Sequence, residues 1–291
     1  MNSTLIDISD KFPEGLTQLY KQINEVSQSL EISYLVIGAM ARDLVMVHGF
    51  DCKIERGTRD VDFGIQVQSW AQFQHLKEEL IKANFEPNKD KPHQLTMLDN
   101  KGLEWEVDII PFGEIANAQD EIAWPPKEDI VMSVKGFREA LNNALDVIIN
   151  AEPEVKIKVA SPAGVLILKL ISWLDRTYDK RRKDATDIYY MVKTYSKIPE
   201  ILDELYDNSY MEDAEYDEIV ASTMKLSDDA LSIMSKESFS HIQENLFSDE
   251  KKKHQLASEI ARTTHTTYDE SKNLIQIIEQ AFEKHTFKEK A

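Results

Sequence analysis

Between residues 13 and 30 the apolar positions Leu16, Leu19, Ile23, Val26 and Leu30 recur at three-to-four spacing, which predicts an amphipathic helix with Pro13 in its first turn. The run Tyr34–Ile37, ending at Gly38, predicts a short buried strand, and residues 39–47 predict a helix closing at Gly49. At Asp60–Val67 the period changes to two: Val61, Phe63, Ile65 and Val67 alternate with Asp60, Asp62, Gly64 and Gln66. Residues 70–85 return to helical spacing, and Gln94–Leu98 with residues 103–110 predict two strands joined by a turn over 99–102. Residues 144–149 and Val155–Val159 add two strands around a turn, and Ser161-Pro162 reads as a helix start with Ser as N-cap and Pro at N1. Apart from an acid-rich loop near Asn208, residues 184–284 read as helical. The pattern predicts an α+β fold in two domains: a mixed β-sheet with helices packed on it over residues 1–160, then a helical domain over 161–291.

Composition narrows the possibilities. With 42% hydrophobic and 30% charged residues the chain reads as an ordinary globular protein. No stretch approaches the roughly 20 apolar residues of a membrane helix, and the first residues lack a cationic region followed by an apolar run, so a cytoplasmic protein is expected. The formal charge of −18 argues against a surface that tracks nucleic acid along its whole length; any polyanion must be met locally. The single cysteine, Cys52, excludes an internal disulfide and a thiolate-rich metal site, and the histidines show no zinc-binding spacing.

The chemistry is concentrated in a few acids. Asp60 and Asp62 stand two apart on a predicted strand, so both carboxylates point to one face. Like charges side by side are costly unless a cation neutralises them, and Mg²⁺ takes one or two protein carboxylates together with substrate phosphates. A second strand carries Glu104, Glu106 and Asp108 on one face, with Trp105, Val107 and Ile109 on the other. It offers a third acid for a two-metal site; Asp108 is preferred, with Glu106 and Glu104 as alternatives on the same face. The Gly38 turn opens a helix whose first backbone N–H groups suit a phosphate, and Arg42, Arg56 and Thr58 are further candidates for phosphate oxygens. Lys169 interrupts an apolar helix, while Asp184 and Asp187 lie beside the basic run Lys180, Arg181, Arg182 and Lys183, the one local patch suited to a polyanion such as RNA.

The order Gly38-Ala39, then Asp60-Val61-Asp62, then Val107-Asp108-Ile109 resembles the pattern of the polymerase-β-like nucleotidyltransferase superfamily. The surrounding letters, residues 37–44 and 56–63, Lys169-Leu170 with Trp173, and residues 183–188, look like its AbiEii/AbiGii toxin-type branch, a bacterial group with members in phage-defence and toxin–antitoxin systems. The resemblance implies transfer of a nucleoside monophosphate from a nucleoside triphosphate, with Asp60, Asp62 and Asp108 as ligands of Mg²⁺ or Mn²⁺. It further implies Gly38 and Ala39 as the triphosphate turn, and Lys169, Asp184 and Asp187 as partners from a helical domain that completes the nucleotide pocket. Ala39 departs from the family pattern, which usually has Gly or Ser there. The acceptor is left open between a tRNA, a protein side chain and a small molecule, and an antitoxin is an implied partner. Two rival readings are an acid-x-acid glycosyltransferase and a degenerate nucleotidyltransferase fold that only binds a nucleotide or a partner.

Overall fold

The computed structural model describes residues 5–55 and 57–287, and the chain divides into two compact units, Met1–Ser161 and Pro162–Ala291. The first unit contains strands β1 (Leu5–Asp7), β2 (Tyr34–Ile37), β3 (Asp60–Val67), β4 (Glu86–Pro87), β5 (Gln94–Leu98), β6 (Glu104–Gly113), β7 (Glu121–Ala123), β8 (Val131–Ser133), β9 (Leu145–Asn150) and β10 (Val155–Val159). Eight of them form one sheet in the order β1-β9-β10-β2-β3-β6-β5-β4, while β7 and β8 pair separately. The α+β architecture expected from the chain's periodicity is the one observed, with β2, β3, β5 and β10 at the expected bounds.

Within the large sheet, β3 runs antiparallel to β2 and parallel to β6, and β5 returns antiparallel to β6. The turn between β5 and β6 is held by Asp99, whose carboxylate accepts backbone N–H bonds from Lys101 and Leu103, both at 2.9 Å, and the indole N–H of Trp105 at 3.2 Å. Such an Asx-type turn sets the hairpin register, and register decides which side chains face each other across the strands.

Helix α1 (Glu14–Ser29) packs its buried side, Leu16, Leu19, Tyr20 and Ile23, within this unit; Pro13 is its N-cap rather than a first-turn residue. Tyr20 meets Phe63 of β3 edge-on with ring centroids 5.6 Å apart, so α1 covers the apolar face of that strand. Helices α2 (Gly38–Arg42), α3 (Trp70–Lys82) and α4 (Phe137–Asn142) complete the unit. The helix expected over 39–47 is instead α2 continued by a π-helical turn, Asp43–Gly49. On the other face of β3, the ring of Phe137 lies over Gly64, where an added Cβ would come within 2.9 Å of it. The absence of a side chain at Gly64 lets α4 close that face beyond the acids.

The second unit consists of helices α5 (Pro162–Asp175), α6 (Tyr178–Thr194), α7 (Pro199–Asp207), α8 (Tyr210–Asp213), α9 (Glu218–Ile233), α10 (Lys236–Ile242), α11 (Glu250–Thr263) and α12 (Tyr268–Lys284). Helix α5 is buried along most of its length, so it serves as the axis against which α6 and α9 pack. Asp217 from the acid-rich run caps α9 by accepting the N–H groups of Ile219 and Val220, and Thr267 with Glu270 forms a capping box on α12. Among the described residues no helix is long and apolar enough to cross a membrane.

Candidate active site

Two neighbouring strands bring the sequence-predicted acids onto one face of the sheet. On β3 and β6, Asp60 is in register with Glu106 and Asp62 with Asp108. Residues directly opposite on neighbouring strands stand about 4.8 Å apart, and side chains in register on paired strands share a face. The row continues to Ile37 of β2, which pairs with Asp62, and to Gln94 of β5, which pairs with Asp108. Gln94 donates from Nε2 to Asp108 Oδ1 at 3.0 Å and to Glu106 Oε2 at 3.1 Å. Glu104 lies one step further out, paired with the exposed Leu98, so it stands beyond the row in which Asp62 and Asp108 meet.

Immediately after Ile37, Gly38 turns the chain with φ of +71°, a conformation that disfavours residues with a side chain. A Cβ built there would sit 2.2 Å from Asp62 Oδ2, so the carboxylate occupies the space that glycine leaves free. The turn and the acid therefore fit together as one piece. The α2 start that follows has no side-chain cap, and Ala39 is buried behind the turn. Tyr20 has a buried hydroxyl whose pKa is pushed well up, first by burial and then by the electrostatic influence of Asp62, Tyr34 and Asp43.

The remaining predicted phosphate contacts are placed differently. Arg42 is 1% exposed and donates to Asp43 Oδ1 from Nε at 2.8 Å and from Nη2 at 2.6 Å. Its guanidinium is thus buried within the unit beside the Asp43 carboxylate. Thr58 accepts the N–H of Asp60 at 3.2 Å and so fixes the entry to β3. Arg56 lies outside the described residues.

In the second unit, Lys169 of α5 meets Asp184 Oδ1 at 3.0 Å and Asp187 Oδ2 at 2.7 Å, both on α6, and both aspartates are fully buried. Arg176 adds bonds of 3.0 Å to each oxygen of Asp184. Burial works against the charge on Lys169, but the two aspartates outweigh it and raise its pKa. The resemblance assigns these three residues to the nucleotide; in the structure they bond to one another. Of the basic run, Arg181 is committed to Glu259 at 2.7 Å and Arg182 to the Tyr178 hydroxyl at 2.5 Å. Gln94 was missed in the sequence because a glutamine on a predicted strand carries no charge or motif; only its register against Asp108 reveals it.

The donor set suits a hard divalent cation, since the charged side chains of β3 and β6 on this face, Asp60, Asp62, Glu106 and Asp108, are all carboxylates. Among the described residues no group of three or more His, Cys, Asp or Glu is already gathered to metal-binding spacing. A site for Mg²⁺ requires less than that, because it accepts one or two carboxylates and takes the rest of its shell from phosphate and water. The paired Asp62 and Asp108 meet this requirement.

The mixed sheet of the first unit and the helices of the second match the α+β class expected from the sequence. The profile of the family described as "Nucleotidyl transferase AbiEii toxin, Type IV TA system" matches residues 26–270, and the chain belongs to that family. It is a nucleotidyltransferase, which sets aside the glycosyltransferase and binding-module readings. Similar solved structures include an antigenic nucleotidyltransferase-like protein from Paracoccidioides brasiliensis, at 22% identity over 62% of this chain and 77% of that one, with TM-score 0.41. The lincomycin-bound lincosamide antibiotic adenylyltransferase LnuA is similar at 16% identity over 62% and 96% of the two chains, with TM-score 0.37. The CCA-adding enzyme of Thermotoga maritima in complex with tRNA follows at 11% identity over 95% and 83%, with TM-score 0.28. Among curated proteins none matches the chain.

Proposed function

We propose that this protein transfers a nucleoside monophosphate from a magnesium-bound triphosphate to a hydroxyl-bearing acceptor, with Asp60, Asp62 and Asp108 as the metal-binding acids and Gly38-Ala39 as the turn under the triphosphate. The observation that carries the reading is the register of Asp62 with Asp108, beside a Gly38 turn with no room for a side chain. When bound, magnesium supplies neutralisation of the phosphate charge and a lowered pKa for the attacking hydroxyl. Asp62 and Asp60 hold the triphosphate's counter-charge on the strand, and the turn presents backbone N–H groups to the phosphates. Asp108 orients the acceptor and takes its proton at a carboxylate oxygen as the new P–O bond forms at the α-phosphorus. Pyrophosphate leaves on the opposite side as the old P–O bond breaks. Asp108 is preferred over Glu106 because it is the one paired with Asp62; Glu106 pairs with Asp60 at the strand's entry.

The acceptor is a tRNA, a protein or a small molecule, and the setting is the bacterial cytoplasm, where the enzyme acts as the toxin beside an antitoxin. Incubating the protein with each α-labelled triphosphate, Mg²⁺ and cell extract tests both levels. Label in RNA, polypeptide or a small molecule identifies the acceptor class. No label under any condition, from a protein shown to be folded, overturns the catalytic reading.

A further inference from the structure

Gln94 is 5% exposed and stands on β5 opposite Asp108, with its amide nitrogen shared between Asp108 and Glu106. A side-chain amide can be turned end for end, which here would aim its oxygen at two carboxylates. The neighbouring chain removes that choice. Asn88 Oδ1 accepts the backbone N–H groups of Asp90 at 2.9 Å and Lys91 at 3.2 Å, so its own NH₂ must point the other way. That NH₂ donates to Gln94 Oε1 at 2.8 Å, and Lys91 Nζ approaches the same oxygen at 3.3 Å. With its carbonyl end claimed by two donors, Gln94 has only its NH₂ left for the acids.

The choice of a neutral amide matters. An apolar side chain at this position would take the amide donor from the half-buried Asp108 and the exposed Glu106 and leave both carboxylates free to swing. A lysine or arginine would neutralise the acids and compete with an incoming cation. The amide satisfies one oxygen of Asp108 and one of Glu106 while adding no charge, so it fixes their direction and keeps the row negative. Resting on the assignment of Asp60, Asp62 and Asp108 to the metal, we infer that Gln94 is a positioning residue that presets Asp108 for the metal–triphosphate, and that Asn88 fixes which end of the amide faces the acids.

The test is binding of Mn²⁺ in the presence of inorganic triphosphate, followed by electron paramagnetic resonance, alongside the Mg²⁺ dependence of transfer. Gln94→Leu is expected to weaken Mn²⁺ binding by about 10–100-fold, the usual cost of removing an outer-shell partner. Asn88→Asp replaces a donor by an acceptor at the half-buried rim, turns the Gln94 amide around, and gives a comparable loss without touching the acids. Asn88→Ala, which frees the amide without reversing it, costs less. Combining Asn88→Asp with Gln94→Leu adds nothing to Gln94→Leu alone. Thermal melting confirms folding, and Asn88→Asp carries the test if Gln94→Leu does not fold. Asp62→Asn serves as the control: if it abolishes Mn²⁺ binding while Gln94→Leu and Asn88→Asp leave it unchanged, the role of Gln94 is overturned and the metal reading stands. If Asp62→Asn leaves binding intact, the metal reading itself fails.

Discussion

On β3 and β6 carboxylates stand beside carboxylates, and two of those on β6 are bonded to a neutral glutamine, whereas on α5 and α6 each buried carboxylate meets a lysine or an arginine. The same residue types serve opposite ends. In the helical unit the charges are matched within the cluster, which ties α5 to α6. In the sheet unit the carboxylates are gathered side by side, and Gln94 adds hydrogen bonds without adding charge; under the proposed function a cation from solution supplies the counter-charge. Paired charge ties helix to helix in one unit; clustered like charge is the feature on which the proposed chemistry rests in the other.

This contrast can be broken most sharply at the sheet. Asp108→Asn is expected to lower transfer by about 10²–10⁴-fold, the usual contribution of a positioned acid–base group, with little loss of melting temperature because a like charge is removed. Glu106→Gln, which keeps a hydrogen-bonding group at the entry of the row, is expected to stay near the parent rate in the same single-turnover assay; equal losses at both positions would erase the preference for Asp108. In the helical unit the effect should fall on stability. Lys169→Met leaves Asp187 buried without its lysine, so urea unfolding should report a loss of about 3–5 kcal/mol. A change below about 1 kcal/mol, typical of solvent-exposed pairs, would remove the distinction.

Smaller effects refine the picture. Gly38→Ala forces a side chain into a φ of +71° and against Asp62. It should cost about 1–2 kcal/mol of stability, read by denaturant unfolding, and displace the acid enough to depress transfer as well. The least effect is the pH dependence of the helical unit. Because the folded state raises the pKa of Lys169 above its ordinary 10.5, that stabilisation is complete below 10.5 and is lost as pH rises through the folded value. Alkaline unfolding curves should show this slope in the parent protein and lose it in Lys169→Met.

The elements legible in the chain are those whose period is strong and local. The alternation of β3 and β10 and the three-to-four spacing of α1 are complete in single stretches of sequence, and each matched a buried face in the structure. Strand β4 has too few residues to show any period, and β7 and β8 are three residues each. The π-helical turn at Asp43–Gly49 depends on a shift in hydrogen-bond spacing that side-chain type does not encode. For the site, the acids were readable because their spacing on a strand implies a shared face. What faced them was not: the pairing of Asp62 with Asp108, and of Asp108 with Gln94, is set by strand register between distant segments. Arg42 and Lys169 show the same limit, since a cation in a pattern does not say whether a buried aspartate already holds it.

The row Ile37, Asp62, Asp108 and Gln94 draws on four strands that are dispersed along the chain and meet only in the finished sheet. A ribosome-bound fragment ending before β6 therefore contains the acid pair and the glycine turn but not the strand that faces them. The proposed assignment of the reaction to these acids implies that transfer awaits completion of long-range strand pairing, so that the nascent chain stays chemically silent through the early part of its synthesis.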